Sequence, residues 1–231
     1  RQLYLERASG NIGVALLRDL VESGYLPNNR VPESRAATVL RIINKWTLLG
    51  REGLATSLAL EFAAIEIERF LYPDLLTDLV AEAFFKETEP FVVYQTAKVG
   101  NAPLITYAAC RRSFLSEEQP GLLYALLVRS LPDIAGSEVS EAALLSKVQH
   151  IFQTLRMVDG IATDPLVWKV STRLKNHALY YSVLLEVLRS YGSGAEIIFN
   201  DEEKLNELIR EIIEKKQRQQ RKLITVSGRR A

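Results

Sequence analysis

The sequence predicts an all-α fold, a compact multi-helix domain of roughly nine to eleven helices with a basic C-terminal extension. Two observations lead there, and one stretch departs from them. Apolar residues recur at helical i, i+3, i+4 spacing along most of the chain. Gly, Pro and Asn clusters break this pattern at intervals that leave helix-length segments between them. One stretch, Pro90 to Val99 (PFVVYQTAKV), is β-prone and reads as a short strand or an extended connection. With 231 residues, 48% of them hydrophobic and 25% charged, the chain can bury a substantial core as one large domain or two small lobes.

The first helical pattern runs from Leu3 to Val21, with Ser9-Gly10-Asn11 as a possible break. Gly24 to Pro32 holds Gly, two Asn and two Pro and reads as a loop. A helix then opens at Pro32 or Ser34 and continues through Leu49, with Val39, Leu40, Ile43, Trp46 and Thr47 on its apolar face. After Gly50 and Gly53, the segment Ala55 to Leu71 is apolar nearly all round, the mark of a central, buried helix. Pro73-Asp74 ends it, and Leu75 to Lys86 forms the next. Pro103 opens a helix to Leu115, and Ser116 to Gln119 has the S-x-x-Q spacing of a capping box ahead of a helix to Leu131. Pro132 to Gly136 is a linker and the place where two lobes could divide. Ser137 or Ser140 caps a helix ending at Gly160, with Leu144, Leu145, Val148, Ile151, Phe152 and Leu155 as its stripe. Thr163 or Asp164, with Pro165 in the first turn, opens a long helix to Tyr191, stopped by Gly192. The last helix begins at Asn200, where residues 201 to 203 are acidic and suit the positive dipole end. Leu205, Leu208, Ile209, Ile212 and Ile213 line one side of it and the other side is charged, so it lies on the body of the protein or against a partner.

Several function classes lose their support at this level. Cys110 is the one cysteine, so no intramolecular disulfide or Cys-rich zinc site is possible. With two histidines, a zinc site is not expected, and no metal or cofactor is. The chain contains no G-x-x-x-x-G-K-[ST] phosphate loop, no strand-linked G-x-G-x-x-G, no H-E-x-x-H and no G-x-S-x-G. Glu61, Glu66 and Glu68 lack the Glu-x-x-His partners of a di-metal bundle and read as solvated or ion-paired. No run of about 18 uncharged apolar residues offers a membrane span, and RQLYLERASG has no signal-peptide layout. A cytoplasmic or other reducing compartment is the expectation.

Charge is distributed unevenly. The net charge is +1, yet residues 215–231 (KKQRQQRKLITVSGRRA) carry +7, which leaves −6 on the helical domain 1–214. Lys215, Lys216, Arg218, Arg221 and Lys222 are the first candidates for nucleic-acid phosphate, with Arg111 and Arg112 behind them. The tail has no aromatic residue on which a base could stack. Arg111 and Arg112 also follow Cys110, where guanidinium groups would lower a thiol pKa, although a small buried residue is the simpler role for that cysteine. Trp46 and Trp168 sit among apolar positions and are expected in the core. Tyr180, Tyr181 and Tyr191 could face a partner or pack between helices.

Arg173 and His177 stand at i, i+4 on one helix face, one turn after Lys169. This pair is similar to the R-x4–6-H motif of HEPN-type helical ribonucleases, here R-x3-H and one residue short, over five residues of 231. The resemblance implies that the pair would act on an RNA phosphodiester. Three functions follow as expectations. The leading one is a non-catalytic helical subunit of a larger nucleoprotein assembly, meeting nucleic-acid backbone through basic residues and neighbouring proteins, or further copies of itself, through apolar faces. The second is a protein-interaction scaffold without nucleic acid, docking through Leu205, Leu208, Ile209, Ile212 and Ile213. The third is a metal-independent ribonuclease using Arg173 and His177.

Overall fold

The computed structural model describes residues 12–24, 33–95, 101–117, 119–136, 139–212 and 214. Among the described residues every regular element is helical and none is a strand. The α-helices are α1 (Ile12–Glu22), α2 (Glu33–Arg51), α3 (Thr56–Leu71), α4 (Leu75–Gln95), α5 (Ala102–Leu115), α6 (Gln119–Ser130), α7 (Glu141–Ala162), α8 (Pro165–Tyr191) and α9 (Ala195–Phe199). Pro132–Ile134 and Gly192–Gly194 are short 3-10 turns, and residues 202–212 are helical. The stretch 96–100 and the tail 215–231 lie outside the described residues.

The chain divides into two compact units, Arg1–Pro73 with Glu117–Asp164, and Asp74–Ser116 with Pro165–Ala231. The divisions fall at helix ends marked by Pro73, Ser116 and Pro165, whereas the 132–136 linker lies inside the first unit.

In the first unit α2 packs on α1 and α3, α3 on α6, and α6 on α7. The buried face of α2 is Ala36, Val39, Ile42, Trp46 and Leu49, with Leu40 and Ile43 half-buried and Thr47 exposed. That face is rotated from the expected one because α2 is covered from two sides, by α1 and by α3. α3 buries Phe62, Ala63, Ile67 and Leu71 but leaves Leu60 exposed, so it is one-sided rather than central. Trp46, Phe62 and Tyr124 meet edge to face, with ring centroids 5.0 Å and 5.6 Å apart for the Trp46–Phe62 and Phe62–Tyr124 pairs. Ser140 caps α7 by accepting the Ala143 N–H at 3.3 Å. Below it, Leu144, Val148, Ile151 and Leu155 are buried as expected, while Leu145 is exposed.

In the second unit α5 is the inner helix, packed on α4 and α8. Its residues from Ile105 to Arg111 are all buried, and Ala108 and Ala109 allow the close approach. Phe84 of α4 stacks obliquely on Tyr181 of α8 at 4.6 Å, and Phe85 meets Tyr107 of α5 edge-on at 5.5 Å. Because α5 and α8 hold its inner side, α4 continues through Pro90 to Gln95 and no strand forms there. A mid-helix proline forfeits one backbone bond and costs about 3 kcal/mol, which packing on two neighbours offsets. The expected capping box at 116–119 does not form. Ser116 instead ends α5 in the left-handed conformation, φ 54°. Asp74 caps α4, accepting the Thr77 N–H at 3.1 Å, and Arg189 from α8 donates to the same carboxylate. The Thr77 hydroxyl and Arg189 hold the Asp74 carboxyl below its usual range.

Candidate functional site

α8 supplies the face on which chemistry-bearing side chains stand together. Pro165 starts it and Gly192, at φ 52°, ends its 27 residues. Val167, Ser171, Leu174, Ala178 and Leu185 recur at helical spacing and are buried, which turns the other side of the helix outward. On that outer side Trp168, Lys169, Thr172, Arg173, Lys175, Asn176, His177 and Tyr180 are exposed. From Pro165 to Leu185 the sequence contains no Asp or Glu. Among the described residues, Lys169, Arg173, Lys175 and His177 make no ion pair or side-chain hydrogen bond. Lys169 and Arg173, at i, i+4, share one side of the helix while Lys175 points another way, and the stretch supplies no counter-charge of its own.

Two exposed aromatics stand on the outer side of this helix. Trp168 is 58% exposed and Tyr180 72%. Trp168 was expected in the core, but its register places it beside the buried stripe of α8, where Arg112 of α5 lays its guanidinium 5.1 Å from the indole ring centroid. Tyr181, one residue on, points inward and donates to Glu87 at 2.7 Å; burial and this carboxylate push its phenol to about 12.

The neighbours of Cys110 separate cleanly. Arg111 is buried, donates to the Tyr107 hydroxyl at 3.2 Å and lies 3.9 Å from Asp78 Oδ1. It belongs to the interior of the second unit, which corrects its expected role as a phosphate contact; Arg112 is the member of the pair that reaches the surface. Neither guanidinium activates Cys110. Burial pushes its thiol up to about 12, against a smaller downward pull from a hydrogen bond with Thr88, so it stays protonated at neutral pH.

The stripe on the last helix is also occupied. Ile212 is buried with Val183, Val187, Ala195 and Ile198, and Leu205, Leu208 and Ile209 pack against the same cluster. These residues were expected to dock a partner, yet they close the second unit's own core, because α8 and α9 present a matching apolar surface. Asp201 caps this helix by accepting the Lys204 N–H at 3.2 Å. Ile213, Lys215, Lys216, Arg218, Arg221 and Lys222 are site candidates whose side chains lie outside the described residues.

The first unit holds a different kind of charged cluster. Lys45 and Glu66, each 5% exposed, pair at 2.6 Å. Lys45 also donates to the carbonyls of Ile134 (2.7 Å) and Gly136 (2.9 Å). Glu66 accepts the Trp46 indole N–H at 2.7 Å and the Gly136 N–H at 3.1 Å. Burial draws the Lys45 ammonium below its ordinary value, and Glu66 opposes that shift. Every polar group here is engaged, so the cluster clamps the 132–136 turn onto α2 and α3. Its sequence signal was a lysine beside Trp46 inside an apolar stripe, with Glu66 on an apolar helix. Next to it a cleft of about 370 Å³ is lined by Arg41, Asn44, Arg51 and Glu141, and a second, of about 320 Å³, by Lys147 and His150.

Among the described residues no group of three or more His, Cys, Asp or Glu could hold a metal ion, and no described helix is long and apolar enough to cross a membrane. Comparison of the chain with protein-family models, with curated proteins and with solved structures finds no match, so a functional reading has to stand on the geometry of α8.

Proposed function

We propose that this protein is a non-catalytic helical subunit of a nucleoprotein assembly and that it contacts nucleic-acid phosphate through the outer face of α8, with Arg112 beside it and the basic tail as a second contact. The observation that carries this reading is the acid-free stretch of α8 from Pro165 to Leu185, where Lys169, Arg173 and Lys175 stand exposed and make no ion pair among the described residues. Cations without internal partners keep their counterions in solution. Phosphate displaces those counterions and gains their release entropy. A surface serving only solubility would intersperse both signs, as the 202–212 helix does with Glu202, Glu203, Lys204, Glu207 and Arg210.

The test is RNA and DNA oligonucleotide binding by fluorescence anisotropy across a salt series. Affinity should fall steeply with salt. Lys169→Gln, Arg173→Gln and Lys175→Gln should each lower the log–log slope by about 1. Removing residues 215–231 should flatten it further. Slopes unchanged in all three substitutions would overturn the assignment of α8. Intact RNA after prolonged incubation separates this reading from the ribonuclease that the Arg173–His177 spacing implies. Cleavage that disappears in His177→Ala would favour the enzyme instead.

A further inference from the structure

The aromatic pair on α8 narrows the partner. We infer that the α8 face binds single-stranded nucleic acid, with Trp168 as a stacking platform for one base and Tyr180 for another; this rests on the phosphate-binding reading above. A phosphate-only surface needs cations and no exposed indole. Leaving Trp168 58% open to water forgoes the burial that a tryptophan at a core-edge position would otherwise gain. The open ring is also held in place. Arg112 covers one face of it from α5 at 5.1 Å, which orders the indole and leaves its remaining surface for a flat ligand.

The spacing suits a strand. Trp168 and Tyr180 are twelve residues apart on one helix, about 18 Å along its axis and about 120° around it, so a strand joining them crosses the helix obliquely. A span of that size falls within the roughly 4–16 nucleotides that single-strand sites cover. Lys169 and Arg173 lie between the two rings along the helix axis, exposed and without an ion pair among the described residues, where intervening phosphates would run. Bases in a duplex are stacked on one another and could not reach the indole. An acidic peptide would satisfy the cations but gives no reason for two open aromatics.

The two tryptophans make the test direct. Trp46 is buried and hydrogen-bonded to Glu66, so fluorescence quenching by a nucleobase reports on Trp168. The full chain is titrated with an oligouridylate of about 12 nucleotides, with a duplex RNA of the same length, and with poly-glutamate. The inference expects quenching by the single strand, at least several-fold weaker binding of the duplex, and loss of quenching in Trp168→Phe with affinity largely retained. Trp168→Ala should weaken single-strand binding roughly ten-fold at an unchanged circular dichroism spectrum. Salt-dependent binding of both RNAs with equal affinity and no quenching would overturn the stacking role while leaving the phosphate reading intact. No binding of either RNA would overturn both. Quenching by poly-glutamate as strong as by RNA would overturn the nucleic-acid assignment in favour of an acidic protein partner.

Discussion

In the first unit Lys45 is 5% exposed and donates to three acceptors, whereas in the second unit Lys169, Arg173 and Lys175 project from α8 with no partner among the described residues. The same residue types answer to different physics. A buried ammonium is tolerable only when its lost hydration is replaced by well-placed oxygens, and Lys45 finds three of them within the first unit. An exposed ammonium keeps its water and contributes little to folding, so it remains available for a partner. The completed cluster is a structural clamp, and the open cations of α8 are the basis of the proposed binding face.

Removing one partner of the clamp should have the largest effect. Glu66→Leu leaves Lys45 with two carbonyls but no counter-ion and the Trp46 indole N–H and Gly136 N–H without their acceptor, and should cost roughly 3–5 kcal/mol in urea unfolding. The double variant Lys45→Met with Glu66→Leu should recover much of that loss. A double variant less stable than either single one would show that the pair itself, rather than its completeness, stabilises the unit.

Next in size is Ile212→Asp, which puts a carboxylate into the Val183–Val187–Ile198 cluster. A loss of about 2–4 kcal/mol is expected, with faster amide exchange at Val183 and Val187. Unchanged stability would return the 205–212 stripe to the role of a free docking surface.

Alkaline pH should act more gently. The folded state raises the Cys110 thiol from 9.0 to about 12, so it favours the neutral form. The associated stability is complete below pH 9 and is lost as pH climbs toward 12, by up to about 1.4 kcal/mol per unit for this one group. Cys110→Ala should flatten the melting-temperature profile above pH 9. Some slope should remain above pH 10, where Tyr181 and Tyr124 begin to ionise in the unfolded chain while the folded state still holds them neutral.

The smallest effect on stability should come from the binding face. Lys169→Gln, Arg173→Gln and Lys175→Gln are each expected within about 0.5 kcal/mol of the parent in unfolding experiments, although each lowers the salt slope of binding. A substantial stability loss in any of them would erase the contrast between the two units.

Much of the fold was legible in local pattern. The boundaries of α8, the Ser140 cap and the apolar stripe of α7 all come from nearest-neighbour chemistry: a Pro in the first turn, a hydroxyl at a helix start, a repeat of 3.6. Pro90 misled because its cost is local and its compensation, packing of α4 on α5 and α8, is not. Ser116 misled because a capping spacing does not specify which side of the turn the helix occupies.

The candidate site was only half legible. The acid-free run from Pro165 to Leu185 is visible in the letters, and so is the i, i+4 relation of Arg173 and His177. Whether Trp168 faced inward or outward could not be read from its apolar neighbours, because an indole at the edge of a stripe is compatible with either. The sequence by itself determined the helical class, most helix ends and the charge asymmetry, since these depend on residues a turn apart. Tertiary structure alone decided which cations were buried and satisfied, which stripe was covered, and that Arg112 rather than Arg111 meets Trp168. Burial and pairing between distant residues follow from how helices cover one another, and helical periodicity does not specify which neighbour covers which face.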